Sequence, residues 1–162
     1  MVDYKNIIIV GTNNTARSFM AETVFHQLCM EHEMEDVEVI SRGIVVLFPE
    51  PVHPMAAEVV GEAGYLIKDF WASKLAPEEV EKADLILTIT EDEKERVLAD
   101  FKDELKDREI VFTLSEFAGE HVGIPDPYGK EKEDYETCFV TIKRMAEKCF
   151  MAKIRKGKEA NV

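Results

Sequence analysis

The chain has 162 residues, enough for one domain with a core of its own and too few for two ordinary ones. It carries 33 Asp and Glu against 20 Lys and Arg, a net charge of −13 without any long basic block, which argues against non-specific nucleic-acid binding. At 46% hydrophobic residues it lies above the disordered regime, while its longest apolar runs, Ile7-Ile8-Ile9-Val10 and Gly43-Ile44-Val45-Val46-Leu47-Phe48, fall far short of a bilayer span, so a soluble globular protein without membrane contact is expected. The amino terminus lacks the basic, apolar and small-residue regions of a signal peptide, which predicts a cytoplasmic location. Cys29, Cys138 and Cys149 form no CxxC pair or zinc array and read as small buried hydrophobes in a reducing compartment.

Lys5 to Val10 is a short β-branched run ending at Gly11, the pattern of a strand buried on both faces. A polar loop follows. From Ser18 the apolar residues Ala21, Val24, Phe25 and Leu28 keep helical spacing. Val37 to Ser41 predicts a second strand, Met55 to Gly64 a helix, and Pro77 to Lys82 a short helix with proline near its start. Asp84 to Thr90 reads as the third strand, Glu91 to Asp103 as a helix, and Glu109 to Leu114 as the last strand. After a loop containing Ile124-Pro125-Asp126-Pro127-Tyr128-Gly129, a long helix from about Lys132 carries the apolar stripe Tyr135, Cys138, Phe139, Ile142, Met145, Ala146, Cys149 and Phe150. Lys153 to Val162 loses the periodicity and is expected to fray. This alternation predicts one α/β domain over residues 1–162: a four-stranded parallel sheet, doubly wound, with about five helices on its two faces.

In open parallel sheets ligands bind at the carboxyl ends of the strands, and the loop after the first strand is the commonest anion site. Here that loop is Gly11-Thr12-Asn13-Asn14-Thr15-Ala16-Arg17-Ser18. Its backbone N–H groups can converge in a nest, Arg17 supplies a fork of donors that matches two phosphate oxygens, and Asn13 and Asn14 tolerate the left-handed backbone a nest needs. Taken alone, the same segment also fits a solvated loop with Ser18 as helix N-cap. The histidines His26, His32, His53 and His121 have no metal-ligand spacing, so no metal and no cofactor is expected.

The wider segment from Ile9 to Glu22 resembles the phosphate loop of the low-molecular-weight protein tyrosine phosphatases, whose pattern is V-C-x-G-N-x-C-R-S-P-M-A-E. Ile124 to Gly129 resembles that family's D-P-[YF] general-acid loop, Ser41-Arg42-Gly43 its S-A-G, and Ala83-Asp84-Leu85-Ile86-Leu87 its A-D-L-[IV]-[LV]. The likeness runs from Lys5 to roughly Phe150, in order. It implies the phosphatase-like fold, a phosphate site formed by Thr12, Asn13, Asn14, Thr15, Ala16, Arg17 and Ser18, Arg17 as the oxyanion clamp and Asp126 as the general acid. Asn14 would shape the loop, and Ser18 would sit where the family's serine supports the thiolate. Gly11 occupies the place of the nucleophilic cysteine. Asn13 stands for the family's glycine, Ala16 for its second cysteine and Phe19 for its proline.

Glycine has no side chain to attack phosphorus, so the covalent step is expected to be lost while anion binding persists. Thr12, Thr15 and Ser18 carry hydroxyls, but no histidine or lysine is placed by sequence to activate them. The expectation is a pseudophosphatase that binds phosphate or a phosphorylated protein or peptide; the alternatives are an active phosphomonoester hydrolase whose cysteine has been altered, and a scaffold that binds a partner. Thr15 matches the protein-arginine phosphatase branch, which makes phosphoarginine a plausible ligand class. Phe48, His53, Tyr128 and His121 are further candidates for the pocket mouth, and an exposed Phe70-Trp71 pair would mark a partner surface.

Overall fold

In a computed structural model, which describes residues 2–155, the first apolar run forms β1 (Asn6–Gly11), buried from Ile7 onward. β2 (Glu38–Gly43) pairs with one side of β1, β3 (Leu85–Thr88) with the other, and β4 (Val111–Thr113) lies outside β3; every pairing is parallel, giving the order β2-β1-β3-β4. The central place of β1 explains why its sequence does not alternate. Ile7 and Ile9 enter the cluster on one face and Ile8 and Val10 the cluster on the other.

Three main helices cover the first face: α1 (Arg17–Glu31), α2 (Pro54–Glu62) and α7 (Lys132–Cys149), with the short α6 (Leu114–Phe117) beside them. The second face is covered by α3 (Pro77–Lys82), α4 (Glu91–Asp100) and α5 (Lys102–Leu105), which contribute Val80, Val97 and Leu105 to its core. The doubly wound arrangement expected from the alternation is therefore observed. The chain passes from β1 to β2 on one side and then returns to place β3 on the other. That reversal opens a crevice at the carboxyl ends of β1 and β3, where the loop after Gly11 lies.

Several boundaries differ from the sequence reading for local reasons. The helix expected over 91–103 breaks at Phe101, whose backbone leaves the helical region (φ −121°, ψ 31°), so α4 and α5 are separate. The last strand stops at Thr113 because a capping box starts a new helix there: Thr113 Oγ1 accepts from the Glu116 amide at 3.0 Å, and Glu116 accepts from the Thr113 amide at 2.9 Å. Ser18 is not a helix N-cap. Ala16 holds that position, and Ser18 lies inside α1, bonded to Asn14. The tail expected to fray from Lys153 instead continues from α7 as a π-helical turn (Phe150–Ile154), because Phe150 and Ile154, four residues apart, are both buried in the first core. The remainder of that predicted tail, 156–162, lies outside the described residues. No helix among the described residues is long and apolar enough to cross a membrane.

Candidate active site

Asn14 organises the loop between β1 and α1. It sits in the left-handed region (φ 60°), is 1% exposed, and uses its whole side chain. Nδ2 donates to Ser18 Oγ and to Ser41 Oγ, each at 3.0 Å, while Oδ1 accepts from the Ser73 amide at 3.0 Å. The outside of the turn is bonded as well: the carbonyls of Gly11, Thr12 and Thr15 accept from the amides of Ile44 (3.1 Å), Val45 (2.8 Å) and His53 (2.9 Å). These bonds turn three of the loop's carbonyls toward the neighbouring segments. Gly43 permits the close docking, since a Cβ there would lie 2.9 Å from the Thr12 carbonyl and 3.1 Å from Asn14 Cβ.

Residues 11–18 line a cavity of about 160 Å³, closed by His53, Ile89, Asp126, Tyr128 and Tyr135. Arg17 is half-buried at its edge. Its Nη1 donates to the Ile124 carbonyl at 2.6 Å, and its Nη2 lies 3.8 Å from Asp126 Oδ2. Asp126 is exposed and accepts from the Tyr128 amide at 3.0 Å. The structure thus brings together Gly11, Thr12, Asn13, Asn14, Thr15, Ala16, Arg17, Ser18 and Asp126, along with His53 and Tyr128. Phe48 is exposed outside the cavity, and His121 lines a neighbouring groove. The Phe70-Trp71 pair is split: Phe70 packs edge-on against Phe19 with centroids 4.9 Å apart, while Trp71 is exposed.

Three further residues shape the site without having been singled out from the sequence. Glu93 is buried, accepts from the amides of Ile89 (3.0 Å) and Thr90 (2.9 Å) with one oxygen, and takes the Thr12 hydroxyl at 2.8 Å with the other. Its signal was the Thr90-x-x-Glu93 spacing of a capping box. Tyr135 belongs to the core stripe of α7 but also stacks on His53, with centroids 5.1 Å apart. Glu22, one turn beyond the loop, accepts from the Ser41 amide at 2.8 Å, and burial pushes its carboxyl up from the ordinary range.

Among the described residues, neither His53 nor a cysteine is placed as a nucleophile in the loop. The His53 Nδ1 accepts from the Met55 amide at 3.2 Å, which puts the ring proton on Nε2, the nitrogen facing Tyr135. All three cysteines are held as thiols by burial, Cys29 and Cys138 pushed up to about 11 and Cys149 to about 12. Cys138 comes nearest to the site, its sulfur 3.9 Å from the Pro125 carbonyl, below the acid loop rather than within the nest. Among the described residues, no group of three or more His, Cys, Asp or Glu could hold a metal ion.

A model of the low molecular weight phosphotyrosine protein phosphatases matches residues 6–160. The chain belongs to that family. It is 34% identical to the protein-arginine-phosphatase of Bacillus subtilis (strain 168) over 81% of this chain and 85% of the relative. It is 33% identical to a probable low molecular weight protein-tyrosine-phosphatase, EpsP, of Ralstonia solanacearum over 86% and 90%. Among solved structures, it resembles a cysteine-to-serine mutant of the YwlE arginine phosphatase bearing a phosphorylated active-site serine, with TM-score 0.81 and 31% identity over 93% of this chain and 98% of the other. YwlE from Geobacillus stearothermophilus aligns with TM-score 0.84 and 25% identity over 96% of each chain. The four-stranded parallel sheet and its flanking helices are the fold of these family members.

Proposed function

We propose that this family member binds phosphate or a phosphorylated protein residue in the 11–18 loop and has lost the covalent step of a cysteine phosphatase. The observation that supports this reading is the pairing of a loop fixed by the buried Asn14 around a cavity with Gly11 at the place of the nucleophile. Arg17 would clamp the equatorial oxygens, and Asp126, close to Arg17, would sit beside the leaving group. Removing a thiolate from the floor of such a site takes away a negative charge and leaves the donors, which favours a bound dianion. In the YwlE mutant an active-site serine carries a phosphoryl group; a hydroxyl can accept one, and the hydrogen of Gly11 cannot.

Phosphoarginine is the favoured ligand class. The support is the likeness to arginine phosphatases and Thr15, a small β-branched residue whose hydroxyl is turned to Asn13 Oδ1 at 3.2 Å. The test sets this protein beside Gly11→Cys and Arg17→Ala. Inorganic phosphate should raise the melting temperature of the parent and not of Arg17→Ala, and Gly11→Cys should release phosphate from phosphoarginine through a phosphocysteine intermediate. A Cβ at position 11 lies 3.0 Å from Ser18 Oγ, so that hydroxyl must yield by a few tenths of an ångström. No thermal shift with phosphate in the parent would sink the proposal.

A further inference from the structure

Gly11 does more than delete a nucleophile. A Cβ built on it would meet Ser18 Oγ at 3.0 Å and Ser18 Cβ at 3.2 Å, and, chain neighbours aside, no other heavy atom of the described residues within 4 Å. Gly11 and Ser18 both line the cavity, so this direction opens beneath the nest rather than into packed core. The cavity of about 160 Å³ that these two residues line is large enough to admit a water beside them, provided it finds polar partners. Ser18 supplies one: its Oγ accepts from Asn14 Nδ2, which leaves its own proton to donate.

From this geometry we infer that the protein is a slow, direct hydrolase: a water held at Ser18 attacks phosphorus in a single displacement, with no phosphoenzyme. This rests on the reading of the loop as a phosphate site. The water approaches from the floor of the nest while the leaving group faces Asp126 at the mouth, an in-line arrangement. The water oxygen forms the new P–O bond as the P–N bond of a phosphoguanidine, or the P–O bond of an aryl ester, breaks. Asp126 gives its proton to the leaving nitrogen or oxygen, the water keeps one proton, and its second passes to a phosphoryl oxygen, so the products are free guanidine or phenol, dihydrogen phosphate and an ionised Asp126 that reprotonates from solvent. Phosphoryl transfer with a loose transition state asks more of positioning and charge stabilisation than of a strong base, and the amides and Arg17 provide both.

The experiment measures phosphate release from phosphoarginine and from phenyl phosphate by the full-length protein, with Arg17→Ala as background. The expected rate is about 10³-fold over the uncatalysed reaction, the residue that binding and oxyanion stabilisation leave when a nucleophile is removed. Asp126→Asn should lower it by about 10²-fold. No phosphoenzyme should survive acid quench. Gly11→Ala, which fills the space with a methyl group, should keep the phosphate-induced thermal shift and fall to the Arg17→Ala background. Should Gly11→Ala fail to fold, acceptor size gives the same answer in the parent: added methanol should yield methyl phosphate, and isopropanol no isopropyl phosphate. Phosphate binding with release no faster than Arg17→Ala, unchanged release in a folded Gly11→Ala, or equal transfer to both alcohols would overturn this inference while leaving the binding site standing. Loss of phosphate binding itself would overturn the functional reading beneath it.

Discussion

Asn14 and Asp126 border the same cavity, yet Asn14 is 1% exposed and tied to Ser18, Ser41 and Ser73, whereas the Asp126 side chain is 62% exposed and, among the described residues, hydrogen-bonded within its own loop, with Arg17 at 3.8 Å. Asn14 is part of the core: it joins the loop after β1 to the end of β2 and to the segment beside Ser73. The acid loop is delivered to it from outside. Gly11 belongs to neither category, since its position adds no side-chain contact to the fold. A glycine at this position is therefore compatible with the fold, and the loop keeps its shape because the bonds of Asn14 tie it to β2 and to the segment beside Ser73.

The contrast is broken most directly at Asn14. Asn14→Ala strands the Ser73 amide and two hydroxyls and keeps an unfavourable left-handed backbone, so we expect a loss of roughly 2–4 kcal/mol in urea unfolding. Asp126→Ala should stay within about 0.5 kcal/mol of the parent. Equal losses for the two would show that the nest is no more structural than the acid loop. Gly43→Ala comes next: its methyl group would overlap the Val46 side chain at 2.7 Å and the Thr12 carbonyl at 2.9 Å. Overpacking of this kind costs about 1–3 kcal/mol and, because it pushes on Thr12, should also weaken the phosphate-induced thermal shift.

Glu93→Ala removes a cap of α4 and the partner of the Thr12 hydroxyl in one step, with an expected loss of about 1–2 kcal/mol. Glu93→Gln keeps the amide-facing oxygen and should recover about half of that loss in the same unfolding measurement. A full recovery would mean that the glutamine NH₂, donating to the Thr12 hydroxyl, replaces the original bond at no cost.

The fold was legible because its signals are local and repeated: the uninterrupted run Ile7 to Val10, the helical stripe of α7 and the turn residues between them. The loop was legible through Arg17, Ser18 and the order of the motifs around it. Glu93, Ser41 and Ser73 were not assigned site roles, because each acts through a bond to a residue at least 27 positions away that no periodicity encodes. The break at Phe101 and the π-turn at Phe150 escaped for a related reason, since both keep a helical polar–apolar pattern while the backbone shifts beneath it.

The smallest expected effect concerns how the acid loop is anchored. Glu120, in the segment leading to Asp126, bonds Arg144 at 2.9 Å and Lys148 at 3.0 Å on α7, and these two cations hold its carboxyl down at about 2. A carboxylate whose folded value is depressed stabilises the protein above its ordinary range near 4.5 and loses that contribution as pH falls through about 2. The double substitution Arg144→Ala/Lys148→Ala should therefore be less stable than the parent at pH 6 and converge toward it as pH approaches 2. Because both cations are about half exposed, the difference at pH 6 should be below about 1 kcal/mol and shrink in high salt. Thermal melts of the two proteins across that range read it directly. A gap that stays constant with pH would mean that α7 loses packing from the two long side chains rather than the ion pairs, and that the acid loop is held by its other contacts, the Arg17 bond to Ile124 among them.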